Sequence, residues 1–385
     1  MEELIAKLKN SFSNLRKLNF FEKSQGSVLG VDIGSSTIKV VQLRKDRGVV
    51  VLETYGEIAL GPYAGLSIGQ ATNLGAGKLT EALADVLKEA NTTTKDAGTS
   101  IPFASSLISV VNMPRVQKDQ LASMIPIEAR KYIPVSISEV ELDWFVIPED
   151  DAKFFSKTEA QKEGEQKKIQ VLLVAIHKET LNKYHNVITT VGLSPSFFEI
   201  EIFSAIRSTI DRGITPVVVM DIGAATTKLY IVEYGIVKAS HIINRGSQNI
   251  TLALSQSTGM SIEKAEVLKR EVGLIDQGGD KEETKSVSET ARMSFDYIFR
   301  EAKRVILSYQ KQYSKNIDSV VLTGGGAKMK GLGKLAEKAF EVDVRLADPF
   351  SRTQTPAFLE EVLREAGPEF SVAVGLALRK LQEHS

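Results

Sequence analysis

The 385-residue sequence predicts an α/β fold of two duplicated domains facing each other across a cleft, with a β-α-β-β-α module inserted into the first. Three observations carry this expectation. Residues 28–43 read VLGVDIGSSTIKVVQL and residues 217–232 read VVVMDIGAATTKLYIV, so one motif occurs twice, with Asp32 and Asp221 189 residues apart. Residues 319–333 read SVVLTGGGAKMKGLG, a buried-strand run followed at once by Gly324, Gly325 and Gly326. Strand and helix patterns alternate within each half, as α/β architecture requires.

The elements follow in order. Residues 1–25 place Leu4, Ile5, Leu8, Phe12, Leu15 and Leu18 at helical spacing between Lys7, Lys9, Arg16 and Lys17, an amphipathic extension suited to a lipid surface, a partner or the protein's own body. The Val- and Ile-rich runs around Asp32 read as a strand–turn–strand hairpin. Val49–Ile58 is a further strand, Gly61–Gly77 a glycine-rich loop, Lys78–Ala90 a helix and Thr99–Phe103 a short strand. The module follows: strand Leu107–Met113, helix Lys118–Tyr132, strands Leu142–Ile147 and Ile169–Ile176, and helix Thr180–Val191. Between its last two strands, 11 of the 20 residues Glu149–Lys168 are charged, too many to bury an apolar face, so a loop is expected. The second half repeats the hairpin and adds a strand at Ile236–Ile243. Two helix patterns, a loop at Asp276–Ser286 and a long helix at Val287–Gln312 come next. After the triple glycine come a helix, a strand at Val342–Leu346 and a terminal helix near Ser371–Gln382.

Composition narrows the function classes. Lys+Arg and Asp+Glu both number 48, so bulk charge gives no drive toward nucleic acid. The absence of cysteine excludes disulfides, zinc–thiolate sites and thiol nucleophiles. The histidines His177, His185, His241 and His384 have no metal-ligand spacing. No stretch reads as a membrane span, and the start Met-Glu-Glu lacks the basic region of a secretory signal, so a cytoplasmic location is expected.

The chemistry concentrates in the repeated motif. Each turn is small and carries a glycine, so its backbone N–H groups can approach an oxyanion. The aspartate ending each first strand is a hard oxygen donor, suited to Mg²⁺ through its waters. A triple glycine after a strand lets backbone lie flat against a ring or a phosphate. Two such hairpins and this third element suggest a nucleotide clamped in a cleft.

In this order the three motifs resemble the phosphate-1, phosphate-2 and adenosine motifs of the actin-like ATPase superfamily. The resemblance implies ATP and Mg²⁺ as cofactors. Asp32 and Asp221 would organise the magnesium. Gly34, Ser35, Ser36 and Thr37, with Lys39, and Gly223, Ala224, Ala225 and Thr226 would hold the phosphates, and Gly324–Gly326 would meet the adenosine. The Ala265–Lys269 segment resembles a superfamily helix whose Glu and Lys reach the ribose and base, here Glu266 and Lys269. Glu201 stands where relatives carry the carboxylate that orients the attacking water, but Ile202 replaces the usual proline, and Glu199 could compete for the role. Lys39 and Lys228, which follow each turn, read alternatively as strand residues facing solvent. The resemblance therefore implies a slow ATPase at most.

The inserted module narrows the family. It lies where the cell-division protein FtsA and the type IV pilus assembly protein PilM carry their subdomain 1C. The Met-Pro at residues 113–114, the run Glu128–Pro134, Asp143 before an aromatic residue, and Asp348-Pro349-Phe350 resemble the PilM family. The resemblance divides the chain into an extension (1–25), subdomain 1A (26–103, completed by 193–212 and 365–385), 1C (104–192), 2A (213–245, completed by 317–364) and 2B (246–316). It implies a partner, the cytoplasmic N-terminal segment of a PilN-like inner-membrane protein, gripped between 1A and 1C with Leu121, Ile125, Ile127 and Tyr132 as candidate groove residues. A peripheral place at the inner membrane through that partner follows, with lipid contact and self-association as further options. The alternatives are an FtsA-like membrane-associated filament scaffold and a small-molecule kinase of the same superfamily.

Overall fold

The computed structural model describes residues 26–147, 168–211, 215–275 and 282–383. The amphipathic extension, nearly all of the charged segment before Lys168 and the start of the loop expected at Asp276 lie outside the described residues. Two five-stranded sheets share one topology. In the first, β1 (Val28–Ile33), β2 (Thr37–Asp46), β3 (Val49–Ala59), β4 (Asp96–Ile101) and β8 (Ser194–Ile200) stand in the order β3-β2-β1-β4-β8. In the second, β9 (Val217–Ile222), β10 (Thr227–Glu233), β11 (Ile236–Ile243), β12 (Ser319–Thr323) and β13 (Asp343–Leu346) stand in the order β11-β10-β9-β12-β13. Each sheet is an antiparallel hairpin unit continued by two parallel strands. The duplication read from one motif thus extends to whole sheets. A third sheet, β5 (Ser106–Pro114), β6 (Val140–Val146) and β7 (Lys168–His177), is antiparallel in the order β5-β7-β6.

Side-chain alternation along the strands sets the layers. In β1, Leu29, Val31 and Ile33 face α1 (Ala76–Glu89) and α3 (Lys178–Thr190), where Leu79, Leu83, Val187 and Ile188 complete one core. In β9, Val218, Met220 and Ile222 face the helices of the second half, including α7 (Glu282–Tyr313) and α8 (Leu332–Phe340). The opposite faces turn toward α4 (Glu201–Thr209) and α9 (Glu360–Glu383). Val217 and Val219 meet Ile202 and Ala205 of α4 and Leu376 of α9. The first sheet's Val28 and Val41 meet Ala373, Val374 and Ala377 of α9. Helices α4 and α9 therefore lie between the two sheets. Gly30 permits this, since a β-carbon there would stand 2.0 Å from the Ala373 carbonyl oxygen.

Three expectations change. The helix expected to close the inserted module, α3, buries Tyr184, Val187 and Ile188 in the first domain's core, so its packing belongs with the first sheet. The long helix begins at Glu282 and not Val287. The terminal helix starts at Glu360, eleven residues before Ser371, and runs through Pro368. The missing N–H of Pro368 frees the carbonyl of Arg364 and not its own; the Pro368 carbonyl accepts Gly324 N–H at 2.8 Å and the Thr323 hydroxyl at 2.7 Å, which fixes this turn of the helix against the triple-glycine edge.

Within the module, Leu121 and Ile125 of α2 (Lys118–Ala129) are 3% and 0% exposed and pack on Val111, Met113 and Leu173. They are core residues and line no groove. Ile127 and Tyr132 are 65% and 41% exposed.

Candidate functional site

The two hairpins share one backbone register. Asp32 pairs with Lys39 across β1 and β2, and Asp221 pairs with Lys228 across β9 and β10. Gly34 N–H donates to the Thr37 carbonyl at 3.0 Å, and Gly223 N–H donates to the Thr226 carbonyl at 3.0 Å. A β-carbon on either glycine would stand 3.1 Å from that carbonyl oxygen. Neighbours hold each turn. Thr72 N–H and Leu60 N–H donate to the Ser35 and Ser36 carbonyls of the first. Ser247 and Gln248, opening α5 (Ser247–Thr258), donate to the Gly223 and Ala224 carbonyls of the second.

Because strand residues alternate, Asp32 shares a face with Val28 and Gly30, and Asp221 shares one with Val217 and Val219. Both carboxylates therefore point to the α4/α9 side, where the two halves meet. Gly324 closes the third edge at φ +83, and a β-carbon there would stand 2.4 Å from Asp221 Oδ1. Only glycine fits this position.

One cavity of about 640 Å³ gathers these elements. Asp32, Gly34–Thr37, Lys39, Glu201, Asp221, Gly223, Ala224, Thr226, Glu266, Lys269 and Gly324–Gly326 all line it. Ala225 does not, and the module residues Leu121, Ile125, Ile127 and Tyr132 lie elsewhere.

The charges are arranged in pairs. Asp32 accepts from Ser100 Oγ at 2.8 Å, and burial raises its pKa against the pull of Lys39. Glu201 opens α4, accepting from Phe103 N–H at 2.6 Å on one oxygen and from Lys228 at 2.6 Å on the other. Burial raises its pKa, and Asp221 and Asp32 add to the effect against Lys228. Lys228 also reaches Asp221 at 3.1 Å. Burial opposes its charge, but Asp221 and Glu201 outweigh burial and hold the ammonium protonated. The expectation that Lys228 faces solvent is overturned. The sequence signal was its place in the repeat, matching Lys39.

Glu199 is no rival to Glu201. It lies on β8, held by Arg207 from α4 and Arg379 from α9, with a further bond from the Ser204 hydroxyl. On α6 (Ile262–Val272), Glu266 accepts from Thr251 and Lys269 at 2.6 Å and from Arg270 at 2.7 Å. Burial works against its charge, yet Lys269, Thr251 and Arg270 hold its pKa below the usual carboxylate value. Among the cavity residues that escaped the sequence reading are Lys328, just after the triple glycine, and Glu369 of α9, which pair at 2.7 Å.

The donor set fits a hydrated divalent cation. Asp32 and Asp221 are hard oxygen donors at strand ends. Among the described residues no group of three or more acidic or histidine side chains is placed for direct ligation. Binding through water needs no such group.

Comparison with known proteins places this architecture. The sequence profile of a family described as type IV pilus assembly protein PilM matches residues 30–381. The cell division protein FtsA of Neisseria meningitidis serogroup B is 29% identical over 177 residues, covering 42% of this chain and 41% of that protein. The chain spans about half the length of the curated relatives it matches. Among solved structures, a PilM–PilN type IV pilus biogenesis complex superposes with a TM-score of 0.74 at 23% identity, covering 91% of this chain and 98% of that one. MreB5 of Spiroplasma citri bound to AMPPNP gives 0.53 at 10% identity, covering 93% and 97%. At these identities the likeness establishes the fold, which is the actin-like ATPase fold expected from the motifs.

Proposed function

This chain belongs to the type IV pilus assembly protein PilM family, and from that premise we propose that it is a nucleotide-switched assembly component. Its cleft takes ATP with Mg²⁺, and its three-stranded module engages the cytoplasmic segment of a PilN-like membrane protein. One observation carries the nucleotide reading: two hairpin turns of identical register meet a triple-glycine edge in one cavity of about 640 Å³. That volume lies within the roughly 300–1,000 Å³ of small-molecule sites.

The residues divide the work as follows. The turns Gly34–Thr37 and Gly223–Thr226 present small side chains, so phosphate oxygens reach backbone. Asp32 and Asp221 would hold the metal through its waters, and the metal when bound would neutralise phosphate charge. Glu266 accepts hydrogen bonds from ribose hydroxyls, and Gly324–Gly326 accommodate the flat base. Glu201 already has both oxygens engaged, by Phe103 N–H and Lys228. Each of its oxygens keeps a second lone pair for a water, as those of Glu266 do for the ribose. Because α4 and α9 lie between the sheets, closing the cleft on nucleotide changes the angle between halves. A partner that prefers one angle reads that change.

The PilM–PilN complex among the similar structures supports the partner reading. Ile127 and Tyr132 supply exposed apolar surface on the module. No helix among the described residues is long and apolar enough to cross a membrane, and attachment through such a partner brings the protein to the inner membrane. The packing of α3 on the first sheet suggests that subdomain 1C ends near residue 177.

The test is a pull-down with the cytoplasmic N-terminal peptide of a PilN-like protein, with and without Mg–ATP, alongside calorimetry of ATP binding. Retention that changes with nucleotide is expected. No retention in either state would remove the partner reading, and no heat of ATP binding would remove the nucleotide reading.

A further inference from the structure

We propose that Lys228 is a tethered cation that supplies part of the positive charge a divalent metal would otherwise bring to the cleft, so that this site holds nucleotide with little dependence on metal. The inference rests on the nucleotide reading above and deepens it.

It starts from a divergence between duplicated positions. Lys39 and Lys228 occupy the same place in the two hairpins, each paired across strands with the motif aspartate. Their ammonium groups have gone different ways. Lys39 turns to the Thr37 hydroxyl and to Glu57 of β3, 3.4 Å away, whose side chain is 31% exposed. Lys228 turns inward, between Glu201 at 2.6 Å and Asp221 at 3.1 Å, with side-chain exposures of 17%, 9% and 12% for the three. Both side chains are largely buried, at 11% and 17% exposed, but the first is paired with a carboxylate of β3 and the second with two carboxylates on the α4/α9 side.

Among the carboxylates that line the cavity, Asp32, Asp221 and Glu201 cluster on its α4/α9 side. A polyphosphate entering it meets like charge, which positive charge must offset. A hydrated metal beside Asp32 and Asp221 is one source, and the basic side chains of the lining, Lys39, Lys228, Lys269, Arg270, Lys328 and Lys330, are others; of these Lys228 is already bonded to two of the three. Two positive charges acting on the same carboxylates repel each other, strongly so where water is scarce. Lys228 and the metal are therefore negatively coupled, and the coupling is reciprocal: removing one raises the contribution of the other. Burial also fixes the ammonium where it stands, since leaving either carboxylate unpaired would be costly.

The test is calorimetric titration of the full chain with ADP and with a non-hydrolysable ATP analogue, each in excess EDTA and in excess Mg²⁺. The unaltered protein, Lys228→Met, Lys228→Arg and Glu201→Gln are compared. The unaltered protein is expected to bind within about threefold in the two conditions, and Lys228→Met to lose about tenfold or more in EDTA but to recover in Mg²⁺. Lys228→Arg keeps the charge and follows the unaltered protein. Glu201→Gln removes one carboxylate and tightens binding in EDTA. Equal losses for Lys228→Met in both conditions, or a metal dependence in the unaltered protein as steep as in that variant, would overturn the inference while leaving nucleotide binding intact. Failure of the unaltered protein to bind either nucleotide would overturn the nucleotide reading itself, and this with it. If thermal unfolding shows that Lys228→Met does not fold, the sign for Glu201→Gln decides, and weaker binding in EDTA counts against the proposal.

Discussion

Gly69 of the first half lies so close to Glu266 of the second that a β-carbon on it would stand 2.8 Å from the Glu266 carboxyl carbon. The contact belongs to a loop that spans the cleft. Ser67 donates to Glu263, Ala71 N–H donates to Gln248 at 2.8 Å, and Thr72 returns to the first turn through the Ser35 carbonyl at 2.7 Å. The loop after β3 thus ties the first hairpin turn to helices α5 and α6.

Gly69→Val should therefore weaken nucleotide binding by about tenfold or more. The position has φ +88, which a β-branched residue tolerates poorly, and the added atoms would push Glu266 from Thr251 and Lys269. Calorimetry with Mg–ATP checks this. An unchanged affinity would show that the loop is a mere surface connection.

Asp32→Ala and Asp221→Ala should each weaken binding of Mg²⁺ to the nucleotide-loaded protein at least about tenfold, since each removes a charge-assisted contact worth roughly 1.5–3 kcal/mol. Both end the first strand of a motif hairpin and line the same cavity. Calorimetric titration of Mg²⁺ into the nucleotide-loaded protein decides it. Wild-type affinity in both variants would be incompatible with the metal assignment.

Acid should destabilise the protein through Glu199. Burial opposes its charge, but Arg207, Arg379 and Ser204 outweigh burial and bring its pKa to about 2 from the usual 4.5. A carboxylate with a depressed pKa in the folded state stabilises the fold fully above its unfolded value, and that contribution is lost as pH falls through the window from 4.5 toward 2. Glu199→Gln should cost about 3 kcal/mol at neutral pH, because two partly buried arginines lose a charged partner. It should also flatten the pH dependence in that window. Denaturant unfolding at several pH values measures both, and an identical acid slope in the variant would refute the assignment.

Neighbouring residues of the module should separate cleanly. Ile125→Ala removes a fully buried side chain and should destabilise by about 2–5 kcal/mol. Ile127→Asp, at 65% exposure, should leave thermal stability nearly unchanged and weaken retention by the PilN-like peptide. A stable Ile127→Asp protein with full retention would move the partner surface elsewhere.

Much of this protein was legible in its sequence because it depends on local pattern. The repeated Asp-Ile-Gly motif, β-branched runs of period two and the triple glycine specified both hairpins, the strand-to-glycine edge and the α/β class, since strands and tight turns are set by neighbours in the chain. The family resemblance added the fold and the placing of motif residues around a cleft. What the sequence left open depends on residues far apart in the chain. Leu121, Ile125, Ile127 and Tyr132 looked alike as apolar positions, and only packing against Val111 and Leu173 divides core from surface. The first eleven residues of helix α9, before Ser371, were not read as helix, and the contacts that fix them, from Thr323 and Gly324 to the Pro368 carbonyl, come from over forty residues away. Lys228 read as a solvated strand lysine, because alternation gives the face of a side chain but not what stands opposite. That its ammonium meets Glu201 in the cleft was decided when tertiary packing set α4 between the sheets, where exclusion of water makes a paired charge the only stable arrangement.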